Sequence, residues 1–153
     1  PEESSIPIEL DKHPTSINCI SAISLRGQTK LHLYEESMNA QLFTHFLGKL
    51  VHELRSDIYK GQNFILVMDS APFHTARHTI EWMQDHKVNF IKRDEWPASS
   101  PDFNPIENLW STLQSRIRDA KPRGKADLKK KSSKIWNQLT TGCPRYFAHF
   151  SIC

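Results

Sequence analysis

Two carboxylates stand where acidic side chains commonly do chemistry. Asp69 directly follows the apolar run Phe64 to Met68, and open α/β sheets gather their ligands at the carboxyl ends of buried strands. Glu107 lies three residues beyond Asn104 and just after Pro105, at the start of a second apolar pattern made by Ile106, Leu109, Trp110, Leu113 and Ile117. Both acids also have a structural reading. Asp69, before Ser70-Ala71-Pro72, can cap the helix that follows, and Asn104 with Glu107 has the spacing of a capping box. Helical geometry puts Glu107 at the border of its apolar stripe, where a side chain can reach sideways into a cleft beside the sheet. One acid on a strand end and another on a helix edge could share a hard divalent cation. Mg²⁺ takes oxygen ligands, and two such ions roughly 3.5–4 Å apart stabilise the entering and leaving oxygens of a phosphoryl displacement.

Other reactive side chains make weaker cases. His74 and His78 lie four apart and could ligate zinc, but Thr75-Ala76-Arg77 lacks the glutamate of the H-E-x-x-H pattern, so a histidine held by a backbone carbonyl is the expectation for His74. Asp102, between Pro101 and Asn104, is a third candidate ligand that fits a turn better. Ser99 and Ser100 show no spaced His and Asp partners, which disfavours a serine hydrolase. Cys19, Cys143 and Cys153 are odd in number and contain no C-x-x-C pair, so neither a disulfide framework nor a cysteine zinc site is expected, and a reducing compartment is the default.

The elements that must position the acids follow from the apolar pattern. Ile17–Leu25 and Thr29–Tyr34 read as two strands of an antiparallel hairpin closed by Arg26-Gly27. Asn39 is a candidate N-cap, and Leu42, Phe43, Phe46, Leu47, Leu50, Val51 and Leu54 recur at helical spacing. Phe64–Met68 reads as a central strand covered on both faces. A helix from Pro72 buries Ala76, Ile80 and Met83, and Val88–Ile91 is a further short strand. Trp96–Asn104 is a stiff loop; helices then begin near Pro105 and again before Leu128, Ile135, Trp136 and Leu139. Trp96, Trp110 and Trp136 are expected in the core. The order is that of a mixed α/β domain.

Val67-Met68-Asp69-Ser70-Ala71-Pro72-Phe73-His74 and the ungapped block from Trp96-Pro97-Ala98-Ser99-Ser100-Pro101 to Asn104-Pro105-Ile106-Glu107-Asn108-Leu109-Trp110 resemble the catalytic core of mariner-type DDE transposases. Weaker similarity extends from Asn18 to about Leu139. The resemblance implies an RNase H-like fold, a mixed sheet flanked by helices, and cleavage and joining of DNA strands at transposon ends with Mg²⁺ or Mn²⁺. By position it makes Asp69 the second metal-binding, catalytic carboxylate and Glu107 the third. The partners implied are transposon-end and target DNA, with a homo-oligomer in the full-length parent and work in the nucleus of a eukaryote or otherwise in the cytoplasm.

The family's first carboxylate sits on a strand before the hairpin, where this chain has a polar, proline-interrupted segment, residues 1–16, whose Asp11 is not in a buried strand. The expectation is an N-terminally truncated RNase H-like domain over 17–139, lacking its first strand and inactive alone. Residues 140–153, aromatic but without periodicity, form a divergent tail.

At 153 residues, 38% hydrophobic and 24% charged, the chain suits one globular domain rather than a disordered or collagen-like one. Its longest apolar run is five residues, too short to cross a bilayer, and no secretory signal opens it. The net charge of +3 is uneven: Arg116–Lys134 holds nine Lys or Arg against Asp119 and Asp127, leaving the remainder acidic. Arg116, Arg118, Lys121, Arg123, Lys129, Lys130 and Lys131 are therefore candidate DNA-phosphate contacts, although such a run also fits a solvated helix face. The alternative function is a catalytically dead remnant that binds DNA or protein and keeps Asp69 and Glu107 as helix caps.

Overall fold

The computed structural model describes residues 17–24, 26–69, 71–91, 105–139 and 150–152. The expected first strand is two. β1 (Asn18–Ile20) pairs antiparallel with β4 (His32–Tyr34), whereas β2 (Ala22–Ser24) pairs antiparallel with β3 (Gly27–Gln28) in a different, five-stranded sheet. Buried hydroxyls make the switch. Ser21 Oγ lies 3.0 Å from Thr29 Oγ1, which accepts the Ala22 N–H at 2.8 Å, while the Thr29 N–H returns to the Ala22 carbonyl at 2.9 Å. Side-chain oxygens here replace ladder bonds and let one strand change sheets.

α1 (Ala40–Glu53) begins as expected, with the Asn39 side chain accepting the Leu42 N–H at 2.9 Å. Phe43, Phe46, Leu47, Leu50, Val51 and Leu54 are all buried, and the helix ends in a wider turn at Leu54–Ile58. Burying each large apolar side chain is worth roughly 1.5–3 kcal/mol, so this face anchors the domain.

The larger sheet has the order β3-β2-β7-β5-β6. β5 (Ile65–Met68) is parallel to β6 (Asn89–Ile91) on one side and to β7 (Phe150–Ile152) on the other. Part of the region expected as a divergent tail thus lies in the middle of the sheet: Ile152 pairs with Met68 of β5 and with Ala22 of β2, to which β7 is antiparallel. A three-residue strand is too short to show an alternation, and its partners are far away in sequence. Residues 1–16 lie outside the described residues.

Period-two alternation divides the core between the sheet's faces. Ala22 joins Phe43, Leu47, Leu50, Leu66 and Met83 beneath α1 and α3 (Arg77–Asp85), while its neighbour Ile23 joins Ile106, Leu113 and Trp136 of α4 (Pro105–Ala120) and α5 (Gly124–Leu139). Trp136 is fully buried, donates its indole N–H to the Thr29 carbonyl at 3.0 Å and stacks on Trp110 at 5.0 Å between ring centroids. That tie locks the helical hairpin onto the switch point. Trp96 lies outside the described residues. Among the described residues no helix is long and apolar enough to cross a membrane.

Candidate metal centre

Asp69 follows the last residue of β5, and its side chain is 40% exposed although Leu66 and Val67 just before it are buried. Its Oδ1 accepts the Ala71 N–H at 2.9 Å, a turn across two residues rather than the helix cap that was the structural alternative. Ala71 has φ −57° and ψ 142°, the extended geometry a following proline imposes, and Pro72 opens the short helix α2 (Pro72–Thr75). The helix expected from Pro72 is therefore broken at Ala76, which is again extended, and resumes as α3. Thr79 bridges the break by donating its hydroxyl to the Phe73 carbonyl at 2.6 Å.

This break fixes His74. Its ring is 1% exposed, wedged between Phe43 and Phe73 with both centroids 4.5 Å away. Nδ1 lies 2.6 Å from Asp69 Oδ1 and 3.2 Å from the Asp69 carbonyl oxygen. An ionised carboxylate only accepts hydrogen bonds, so Nδ1 carries the proton and donates. Nε2 is buried and has no partner among the described residues. The sequence expectation of a carbonyl-held histidine captured the weaker of these two contacts. His78 is committed elsewhere, its Nε2 3.2 Å from Thr44 Oγ1, so the two histidines face different partners and the zinc reading fails.

Glu107 lies in the first turn of α4, beside the fully buried Ile106, and α4 packs on β7, the strand adjoining β5. The Glu107 side chain, Asn104, Asp102, Ser99 and Ser100 lie outside the described residues. Among the described residues no three Cys, His, Asp or Glu side chains cluster as a metal site. Asp69 offers a hard oxygen donor, and Mg²⁺ is commonly held by one or two carboxylates with water and phosphate completing the shell, so the chemistry of this carboxylate fits such an ion.

The basic segment gathers at one end of the helical hairpin, where the turn after α4 leads into α5. Arg116, Arg118, Lys121, Arg123 and Lys130 are exposed there. Lys129 instead reaches Glu35 at 2.8 Å, as does Lys125 at 2.7 Å, and Lys131 donates to Asp127 at 2.7 Å and to the Ala120 carbonyl at 3.0 Å. The bonds from Lys125 and Lys129 hold the Glu35 carboxyl down at about 2, and Lys131 with the Arg123 N–H lowers that of Asp127. A cleft of about 570 Å³ on the outer side of α1 was not apparent from the sequence; it is lined by Lys30, His32, His45, Lys49, His52 and Asp57.

The family described as DDE superfamily endonuclease matches residues 2–129. The Tcb1 transposase of Caenorhabditis briggsae is 38% identical over 58 residues, which is 38% of this chain and 20% of the relative. The Tc1 transposase of Caenorhabditis elegans is 40% identical over 57 residues, 37% of this chain and 20% of the relative. These matches therefore span about a fifth of the relatives' length. Among solved structures, the catalytic domain of Mos1 mariner transposase superposes with a TM-score of 0.64 at 18% identity, covering 85% of this chain and 69% of that one. A second Mos1 catalytic-domain structure, with raltegravir and Mg, gives 0.60 at 21% identity, covering 79% and 60%. The fold is RNase H-like, as the sequence motifs implied.

Proposed function

Because the chain belongs to the DDE superfamily endonucleases, with the family match running over residues 2–129, we propose that Asp69 and Glu107 hold a divalent cation, Mg²⁺ or Mn²⁺, for phosphoryl transfer on DNA at transposon ends. The observation that carries this reading is Asp69 itself: an exposed carboxylate at the end of a buried strand, oriented by a backbone N–H and a buried imidazole. Likeness to the Mos1 catalytic domain, solved with Mg and with Mn, supports the choice of ion.

When bound, the cation supplies positive charge for the entering and leaving oxygens of the displacement. The chain's own residues do the rest. Asp69 presents oxygen from the sheet, Glu107 from the first turn of α4, and the Ala71 N–H and His74 hold the Asp69 carboxylate in place. Arg116, Arg118, Lys121, Arg123 and Lys130 grip DNA phosphates, with Lys129 and Lys131 joining when DNA displaces Glu35 and Asp127. The partners are DNA and, in a longer parent, a second copy, with the nucleus as the place of action in a eukaryotic host. A second reading, a domain that grips DNA without cutting it, draws on the basic corner alone.

Glu107→Gln separates the two, because glutamine keeps a capping side chain and loses an anionic ligand. Loss of Mn²⁺ binding in an electron paramagnetic resonance titration, with an unchanged melting temperature, supports the metal site. A lower melting temperature with unchanged Mn²⁺ binding supports the binding-only domain. Duplex DNA affinity that falls steeply with salt supports the phosphate contacts, and salt-independent binding rejects them.

A further inference from the structure

His74 has a burial pattern that packing alone does not require. Its imidazole is 1% exposed between two phenyl rings, yet one nitrogen points at an exposed carboxylate 2.6 Å away and the other has no partner among the described residues. A phenylalanine would fill the same space without orphaning a polar atom, which normally costs stability. What a phenyl ring lacks is the Nδ1–H donor. That donor and the Ala71 N–H meet the same oxygen, Oδ1, from two directions, and together they define the rotamer of Asp69. The imidazole is itself immobile, held by Phe43 from α1 and by Phe73 from α2.

Resting on the metal reading above, we propose that His74 is a positioning residue: it acts through Asp69, fixing that carboxylate in the orientation that receives a divalent cation. In this role Nδ1 carries the proton that Asp69 Oδ1 accepts, and Nε2 lies buried on the far side of the ring. Outer-shell partners of this kind are worth about 10–100-fold in metal affinity.

The test compares the full chain with H74F, which keeps a ring between Phe43 and Phe73 but removes the donor, and H74N, whose amide can donate from the Nδ1 position but packs poorly. Mn²⁺ alone is the probe, with affinity read by electron paramagnetic resonance and stability by thermal unfolding. Affinity is expected to fall about tenfold or more in H74F and to recover to within about threefold of the parent in H74N, whereas stability falls further in H74N than in H74F. These opposite orders are the signature of positioning; affinities that follow stability overturn the proposal. Nitrogen NMR of the histidine ring should show the Nδ1–H form, and an Nε2–H form also overturns it. If D69N loses Mn²⁺ while H74F keeps it, the positioning role fails and the metal site stands. If the parent chain binds no Mn²⁺, or D69N binds it as the parent does, both fail.

Discussion

His32 Nε2 meets Glu53 Oε1 at 2.9 Å, and His74 Nδ1 meets Asp69 Oδ1 at 2.6 Å. The first contact joins β4 to the end of α1 across 21 residues of sequence, and the second spans five. In the first, both side chains are largely covered, 17% and 14% exposed, and the second Glu53 oxygen takes the Lys30 N–H at 2.8 Å. Each Glu53 oxygen is thus engaged by a group of the fold itself. In the second, a fully buried imidazole faces an acid that is 40% exposed. The same pair of functional groups therefore serves as a tie between distant elements in one place and as a support for an outward-facing acid in the other. Unequal burial and sequence separation tell them apart.

The strongest way to break this distinction is D69N. Since outer-shell partners already contribute about 10–100-fold, loss of a direct anionic ligand should weaken Mn²⁺ binding at least about 100-fold, with little change in the unfolding midpoint. Retained binding would make the two pairs alike. Next, Glu53→Ala should lower stability by about 1–3 kcal/mol in urea unfolding, because it leaves His32 and the Lys30 N–H without their acceptor, and should leave Mn²⁺ affinity unchanged. A metal effect from Glu53→Ala would erase the contrast from the other side.

A third measurement addresses the hairpin that carries His32. Cys19 sits on β1 opposite Leu33, and burial pushes its thiol up to about 11. The folded state therefore favours the neutral thiol: that stabilisation is complete below the ordinary thiol value near 9 and is lost as pH rises toward 11. Unfolding midpoints should decline over that window in the parent chain, and Cys19→Ala should flatten the decline. The smallest effect is expected from Glu35→Gln. Freeing Lys125 and Lys129 should tighten duplex DNA binding by about two- to fivefold at low salt, with the gain vanishing as salt screens the contacts. In the parent, the Glu35 contacts persist above the ordinary carboxylate range and are lost as pH falls toward about 2.

Long apolar periodicity was readable because burial imposes it: α1 and its Asn39 cap, the β5 run and the α4 and α5 stripes all appear where the pattern puts them. The breaks were not. Ser21 and Thr29 divide a strand through paired hydroxyls, and nothing in either residue alone announces its partner eight positions away. Ala76 interrupts a helix that its propensity favours, and the Thr79 hydroxyl spans the break to the Phe73 carbonyl, a contact that residue types alone do not announce. At the proposed site, Asp69 was legible as an acid at a strand's end, whereas Glu107 rests on the motif alone, its side chain lying outside the described residues. The bond from His74 to the side chain of Asp69 depends on that same break, so sequence reached only the carbonyl contact.

The position of β7 bears on how the protein is made. Some eighty residues separate Met68 from Phe150, so at about 5–20 residues per second a ribosome needs roughly 4–17 s to supply the strand that joins β2 to β5. Through that interval the facing edges of both strands offer unpaired N–H and C=O groups to any passing extended chain. The five-stranded sheet therefore closes only after synthesis has passed residue 152.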